Sequence, residues 1–309
     1  MLRDTARQVA QDNFAPKAAY HDATSEFPRD NVRIMAQNEF FGVPFPTEYG
    51  GVGADYLSYA LIEEEISRAC ATTGVIYSVQ ISLAAMPICN FGNEEQKERF
   101  LKPLIKGDML GAYALSEPSN GSDASAGRTS ATDDGDHYII NGTKNFITNA
   151  IEADTYVVYA NTNFDLGHKG MIAIVIEKGT PGFTFGKLED KMGIRASATA
   201  ELHFDNCRVP KANVLGDVGH GFKIALATLD GGRIGIAAQA VGIAQAALDL
   251  AKKYSQERMA FGKPISDKQA IQFMLADMAT NIEAARLLTW RAAWIKDQGQ
   301  RYTKEAAMA

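Results

Sequence analysis

The chain is short of cysteine and has no excess of basic residues. Its 309 residues include only Cys70, Cys89 and Cys207, an odd number without C-x-x-C spacing, so neither a disulfide framework nor a zinc site is predicted. The formal net charge of -6 argues against nucleic acid as the main partner, because that would require a basic stripe. The five histidines show no ligand spacing, so we predict no metal site.

The sequence also lacks the marks of a membrane or secreted protein. No unbroken apolar run approaches the roughly 18 residues of a membrane span, so we expect none. The N-terminus is helical in character and mixed in charge, unlike a signal or transit peptide. The few cysteines suit a reducing compartment, either a bacterial cytoplasm or the mitochondrial matrix of a eukaryote.

Changes of pattern along the chain predict three domains and an α+β multidomain fold. Residues 1–110 are typical of an N-terminal helical domain, and residues 111–217 of a small central antiparallel β-barrel or sandwich. Residues 218–309 are typical of a C-terminal helical bundle that is incomplete in this chain. Its second long helix carries an apolar stripe that requires facing helices: Ile271, Met274, Leu275, Met278, Ile282 and Ala285.

Two segments of the central region carry the strongest signal for a site. The apolar run Leu110–Leu115 stops at Ser116, where a loop rich in Pro, Asn and Gly turns backbone N–H groups outward. Asn141-Gly142 predicts a hairpin, and Phe146 and Thr148 on its returning strand would share one face. A ring, a hydroxyl and many donors suit a flavin. From the residues alone, plain turns explain the pattern equally well.

The chain resembles the acyl-CoA dehydrogenases, in particular those of the short-chain, butyryl-CoA type. Beyond the two segments above, the resemblance extends from Met1 to the last residue. It includes the motifs at residues 64–68, 191–195, 258–262 and 287–293. The resemblance implies FAD-dependent conversion of a short-chain acyl-CoA to the trans-2-enoyl-CoA, in fatty acid β-oxidation. A base would remove the α-proton, the β-hydride would go to flavin N5, and electron transfer flavoprotein would accept the electrons.

The resemblance also implies which residues contact FAD. In the central domain they are Tyr113, Ala114, Leu115, Ser116, Gly121, Ser122, Phe146, Ile147 and Thr148. Ser116 would meet the pyrimidine side of the flavin, Phe146 would lie beside the ring, and Thr148 would donate to N5. Contacts to the FAD of a neighbouring subunit, in a homotetramer, would come from Arg258, Phe261 and Gln269. The family usually has Gly at the position of Ser119 and Trp at that of Phe146, differences that affect affinity or potential.

The implied substrate contacts lie in two places. Ser122 would lie on the pantetheine side, and the rest would come from the first bundle helix: Asp230, Gly231, Gly232 and Arg233. Each glycine inside a helix costs about 1 kcal/mol relative to alanine, so a close approach is expected there. A ligand and a tightly packed neighbouring helix explain that approach equally well.

The catalytic base is the gap in the predicted site. The family places its glutamate either in a C-terminal loop, which we expect beyond Ala309, or at the position of Gly232, which has no side chain. Glu117, Glu201 and Asp230 are the carboxylates nearest the site in sequence, and we assign none of them as base.

Two other functions stay open beside the dehydrogenase. An acyl-CoA oxidase would differ in letting oxygen reach the reduced flavin, and a catalytically incomplete protein would bind flavin or acyl-CoA without turnover. Two weaker motifs are discounted. Gly50–Gly53 follows no clear βαβ unit, and the sequon at Asn141 reads as a hairpin turn.

Overall fold

The computed structural model describes all 309 residues and divides into two compact units. The first unit comprises residues 1–19, 55–75 and 233–309, and the second comprises residues 20–54 and 76–232. The helices are α1 (Leu2–Val9), α2 (Ala15–Thr24), α3 (Arg29–Gln37), α4 (Tyr56–Ala69), α5 (Ala71–Ser78), α6 (Met86–Phe91), α7 (Glu94–Gln96), α8 (Lys102–Lys106), α9 (Gly221–Glu257), α10 (Gln269–Asp297) and α11 (Thr303–Met308). Three π-helical segments continue α1, α5 and α7: Ala10–Phe14, Val79–Ala85 and Lys97–Leu101.

The first unit is held together by ion pairs and a helix cap as well as by apolar packing. Arg7 of α1 pairs with Glu65 of α4 at 2.6 Å, and Arg286 of α10 pairs with Glu64 at 2.9 Å. The carboxylate of Asp297 accepts hydrogen bonds from the backbone N–H groups of Tyr56 and Leu57, which start α4. Those N–H groups have no partner within the helix, so Asp297 stabilises its N-terminus from a distant part of the chain.

The second unit is built around one eight-stranded sheet. The strands are β1 (Gly111–Ala114), β2 (Ser130–Asp134), β3 (His137–Thr148), β4 (Thr155–Asn161), β5 (Met171–Glu177), β6 (Phe183–Leu188), β7 (Thr199–Pro210) and β8 (Val214–Leu215). Their order is β6-β7-β3-β2-β4-β5-β8, and β1 pairs with β4. The expected α+β fold is therefore confirmed, but the sheet is mixed, because β1 runs parallel to β4.

The core of the second unit is apolar on the strands and polar only where a side chain satisfies backbone groups. Strands β4 and β5 are buried along nearly their whole length, which explains their almost continuous apolar sequence. Gln80 is fully buried and joins three segments, donating to the carbonyls of Leu104 and Met109 and accepting from the N–H of Gly111. This amide fixes the start of β1, the strand that leads into the predicted flavin loop.

The long apolar segments differ in how far they are buried. Of the predicted stripe on α10, Ile282 is buried, whereas Met274 is 60% exposed. Residues 71–91 and 221–257 are both long and apolar enough to cross a membrane by length and composition, which the lack of an unbroken apolar run did not predict. The most apolar window of the first segment is 72% buried, and a core helix passes the same test.

Candidate active site

The predicted flavin loop leaves the sheet at the end of β1. Ala114 and Leu115 are buried, whereas Ser116 is half-buried. Glu117 and Asn120 form a tight turn, with reciprocal backbone hydrogen bonds of 3.0 and 3.1 Å. This turn leaves Gly121 and Ser122 exposed to solvent, and directs them away from the core.

Tyr113, the first predicted contact, is fixed by a second tyrosine. Its ring lies 5.1 Å from that of Tyr159, centroid to centroid, and its hydroxyl donates to the carbonyl of Ala225 at 3.4 Å. Burial raises the pKa of both phenols above the usual value, so both remain neutral. The Tyr113 side chain is therefore an uncharged group in a fixed position beside the loop.

The predicted hairpin turn at Asn141-Gly142 was wrong. Strand β3 runs without interruption through both residues, and the turn between β2 and β3 lies instead at Gly135, within an Asp-Gly sequence. Gly142 adopts a φ of 150°, and a Cβ added there would lie 2.6–2.9 Å from atoms of Thr129. The glycine is therefore explained by close packing of β3 against residue 129 and not by a reversal of the chain.

The predicted shared face of Phe146 and Thr148 depends on a β-bulge. Opposite β7, Lys144 pairs with Leu202 and Ile147 pairs with Ala200, so β3 carries one extra residue between these pairs. The extra residue reverses the alternation of the strand. Lys144 and Ile147 are both buried, and Phe146 and Thr148 point away from the core, with Phe146 64% exposed at a φ of 57°.

The two predicted flavin segments lie side by side. The N–H of Asn145 donates to the carbonyl of Ser116 at 2.8 Å, immediately before Phe146. The structure therefore brings together the half-buried Ser116 of the loop and the exposed ring of Phe146 on the bulge. Ile147, between the two predicted contacts on this strand, is 3% exposed, so its side chain cannot contact a ligand there.

Gly121, in the loop after Ser116, is exposed and is not constrained by the rest of the chain. Its φ lies outside the positive range, and a Cβ added there would meet no atom within 4 Å. Neither backbone conformation nor packing of the chain therefore requires glycine at this position. The backbone of Gly121 is therefore open to approach, and backbone N–H groups that a ligand can approach closely suit a pyrophosphate. The residues present thus fit the predicted cofactor.

The predicted contacts of the first unit are all exposed. Arg258, Phe261 and Gln269 lie at or just beyond the end of α9 and at the start of α10. Two short strands, β9 (Met259–Ala260) and β10 (Lys263–Pro264), pair here and leave Phe261-Gly262 as the turn. Both turn residues have positive φ, and the Phe261 ring is 95% exposed. Whether these three residues reach a cofactor stays a prediction.

The predicted substrate residues lie within α9, and one of them has a packing explanation. A Cβ added at Gly232 would lie 2.8 Å from Cδ2 of Leu83, the end of a flexible side chain, so close packing favours glycine here without requiring it. Gly231 is buried, Asp230 is half-buried and Arg233 is exposed. Their contact with a substrate stays a prediction.

Three carboxylates with unusual surroundings do not behave as a substrate base. Burial alone would raise the pKa of Glu117, but the charge and hydrogen bond of Lys144 and two backbone donors outweigh it and lower that pKa. Glu201 is partly exposed and lies 3.5 Å from Nε2 of His203. Glu63, in the first unit, has its pKa raised by burial and is fully inaccessible. Glu117 and Glu63 therefore lack the access that a substrate base needs, whereas Glu201 is accessible but is not brought to the predicted loop by any contact in the structure.

Lys144 is the one residue near this site that the sequence analysis missed. Its side chain is 2% exposed, and its ammonium lies 2.7 Å from Oε1 of Glu117. The signal was present, because Lys144 occupies the same strand face as the core residue Ile140, where a charged side chain is rarely buried without a partner.

Family models match nearly the whole chain. The model for the N-terminal domain of acyl-CoA dehydrogenases matches residues 1–108, that for the middle domain matches residues 112–207, and that for the C-terminal domain matches residues 219–309. The mitochondrial short-chain specific acyl-CoA dehydrogenase of mouse is 53% identical over 309 residues, which are all of this chain and 75% of that protein.

Solved structures agree with the family models. The structure described as electron transferring flavoprotein of Acidaminococcus fermentans superimposes with a TM-score of 0.99 at 53% identity, over all of this chain and 81% of that one. Butyryl-CoA dehydrogenase from Megasphaera elsdenii gives 0.97 at 46% identity, over all of this chain and 82% of that one. PigA with FAD and proline gives 0.94 at 28% identity, over 99% of this chain and 80% of that one. The chain belongs to the acyl-CoA dehydrogenase family of oxidoreductases, and within it is similar to the short-chain enzymes.

Proposed function

We propose that this chain binds FAD and acts in the α,β-dehydrogenation of a short-chain acyl-CoA, with electron transfer flavoprotein as the acceptor. The observation that carries the proposal is the hydrogen bond from the N–H of Asn145 to the carbonyl of Ser116. This bond joins the loop at Ser116 to the bulge at Phe146. It brings the hydroxyl of Ser116 and the exposed ring of Phe146 together, and Gly121 lies exposed in the same loop as Ser116. Those features suit a planar ring system with an attached pyrophosphate.

Each residue has a distinct part in the proposed site. Phe146 offers a flat apolar surface for the ring system, and Thr148 offers a hydroxyl donor on the same strand face. Ser116 offers a hydroxyl from the facing loop, and Gly121 lets phosphate oxygens reach backbone N–H groups. When bound, the flavin supplies a hydride acceptor, which no side chain of the protein can replace.

A binding protein without turnover is the second candidate, and the site geometry specifically favours it. Glu117 is occupied by Lys144 and by two backbone N–H groups, and Gly232 packs against Leu83 without a functional group. A dehydrogenase also needs a carboxylate to accept the α-proton. Cofactor binding and proton abstraction are therefore separate claims, which one experiment can distinguish.

The experiment uses the purified 309-residue chain under anaerobic conditions. The visible spectrum is recorded, and butyryl-CoA is then added, with dithionite as a control for full reduction. A flavin spectrum that bleaches with butyryl-CoA supports the dehydrogenase. A flavin spectrum that bleaches only with dithionite supports the binding protein. A colourless protein that takes up no added FAD contradicts both.

The partners and compartment are part of the proposal. The family resemblance implies a homotetramer, and Arg258, Phe261 and Gln269 are exposed, as residues that reach the site of a neighbouring subunit would be. The mitochondrial name of the mouse relative and the A. fermentans flavoprotein structure support a mitochondrial matrix or bacterial cytoplasmic enzyme coupled to electron transfer flavoprotein. Rapid oxygen consumption by the reduced protein would favour an oxidase instead.

A further inference from the structure

Lys144 and Glu117 form a buried ion pair directly behind the proposed flavin loop. We propose that this pair is a clamp that holds residues 115–129 in the cofactor-binding conformation before the cofactor arrives. Lys144 and Glu117 are then positioning residues for the site. This inference rests on the proposed FAD site, but the clamp can be tested without FAD.

The pair ties one strand to both ends of the loop. Lys144 Nζ donates to the carbonyl of Leu115 at 3.1 Å, where the loop begins, and to Oε1 of Glu117 at 2.7 Å. The Glu117 carboxylate in turn accepts from the N–H groups of Arg128 at 2.5 Å and Thr129 at 3.0 Å, where the loop ends. Two side chains therefore close a loop of about 15 residues.

Stability alone gives a weak reason for such a pair. The Lys144 and Glu117 side chains are only 2% and 4% exposed. Removing two charges from water costs much of what their attraction returns, so apolar residues of similar volume often serve a core equally well. A pair of charges with fixed hydrogen-bond directions, however, specifies one loop geometry, which apolar contacts would not.

The clamp lies next in sequence to the residues that would face the flavin. Lys144 holds Leu115 and Glu117, the following Asn145 holds the carbonyl of Ser116, and the next residue is the exposed Phe146. The loop and the ring are thereby set at a fixed separation. A shift of the loop would change the spacing between Ser116 and Phe146, between which the ring system is proposed to lie.

The cavity beside the pair excludes a ligand as the reason for these charges. It has a volume of about 10 Å³ and is lined by Leu115, Glu117, Thr129, Lys144 and Asn161 among others. Such a space takes no more than about one water molecule. The charges therefore act on the protein chain itself and not on a small molecule bound between them.

The test compares Lys144→Met, the double variant Glu117→Gln/Lys144→Met, and the control Lys191→Met. Lys191 lies in the same unit and also donates to a backbone carbonyl, that of Ser197, without a carboxylate partner. The double variant leaves no buried charge unpaired, so it keeps the test valid if Lys144→Met alone fails to fold. Amide hydrogen exchange of the FAD-free proteins and FAD titration are measured for each.

We expect the rate of amide hydrogen exchange across residues 115–129 to rise roughly tenfold or more in the double variant. The exchange rates of strands β4 and β5 should stay unchanged. FAD affinity should fall by a similar factor, and the absorption bands of the bound flavin should shift at saturation. Lys191→Met should change none of these quantities.

Three results would overturn the clamp or its link to the cofactor. The clamp is absent if the amide hydrogens of residues 115–129 exchange at the same rate in the folded double variant as in the unaltered protein. The pair is merely structural if β4 and β5 lose protection equally. Faster loop exchange with unchanged FAD affinity and spectrum disproves the link to the cofactor. If the unaltered protein takes up no FAD, the proposed function fails, whereas the exchange data still decide whether the clamp exists.

Discussion

Phe146 and Phe261 share an uncommon conformation but differ in what holds them. Both adopt positive φ, 57° and 54°, and both rings are exposed, 64% and 95%. A bulky residue in this region is strained by roughly 1–2 kcal/mol, and exposed rings recover little of that through burial. Both are also predicted to lie beside FAD. Strain that the fold tolerates in two exposed phenylalanines suggests function at each.

The support of the two residues is long-range in one case and local in the other. Phe146 lies on the bulge of a twelve-residue strand that pairs with β7, and Asn145 ties it to the loop at Ser116. Phe261 lies in a two-residue turn between two-residue strands, with Lys268 Nζ 5.0 Å from its ring centroid. The first ring is held in place by the fold, whereas the second depends on a single turn. The ring proposed to face the flavin, Phe146, is thus preorganised by the second unit.

The largest expected effect comes from disturbing the strand that carries Phe146. In Gly142→Ala, the new methyl group would lie under 3.0 Å from the backbone and side chain of Thr129, at a φ that alanine rarely adopts. We expect a loss of about 2–3 kcal/mol in the free energy of unfolding, measured by urea denaturation.

The matched control for that strand is Gly135→Ala. Gly135 has a φ of 70°, but a Cβ there meets no atom within 4 Å, so only the backbone strain of about 1 kcal/mol should appear. Hydrogen exchange should show faster opening near Phe146 in Gly142→Ala and no change at the Phe261 turn. Equal losses in the two variants would refute close packing at Gly142.

Gly121→Ala should affect the ligand and leave the protein unchanged. No atom of the chain lies near the added methyl group, so the free energy of unfolding of the FAD-free protein should stay within about 0.5 kcal/mol. FAD affinity should fall roughly tenfold, or about 1.4 kcal/mol, if a phosphate approaches this backbone. The measurement is a flavin fluorescence titration. Unchanged affinity would mean that the glycine has no role in the site.

The sequence predicted the elements of the site better than their geometry. The loop after β1 and the change from helices to strands near residue 111 follow local patterns of apolar residues and turn formers. The hairpin turn predicted at Asn141-Gly142 was wrong, because close packing against Thr129 requires glycine as strongly as a turn does. The bulge at Phe146 and the partner of Lys144 depend on pairing with distant residues, which no local pattern encodes.

Phe146→Asn and Phe261→Asn should separate strain from function at the two rings. Asparagine tolerates positive φ, and Asn-Gly is the preferred sequence for a turn such as that at residues 261–262. Each variant should therefore gain up to about 1 kcal/mol in the free energy of unfolding. Phe146→Asn should also weaken FAD binding roughly three- to tenfold, through the loss of an aromatic contact. Phe261→Asn should weaken FAD binding only in the oligomer, because Phe261 is predicted to contact the FAD of a neighbouring subunit. A loss of stability in either variant would show that the strained ring stabilises the fold.

The smallest expected effect is the response of the loop beside Phe146 to pH. The charge and hydrogen bond of Lys144 and the backbone donors outweigh burial and hold the pKa of Glu117 below its usual value of about 4.3. A carboxylate whose pKa is lowered on folding adds stability above its unfolded pKa and loses it only as the pH falls through the lowered value. Protection of residues 115–129 against limited proteolysis, corrected for protease activity with an unstructured substrate, should therefore stay constant from pH 8 to 5. It should fall only below about pH 4. Loss of protection between pH 7 and 5 would show that Glu117 takes up its proton too early to be a charged partner of Lys144, and that the loop is held by something other than this pair.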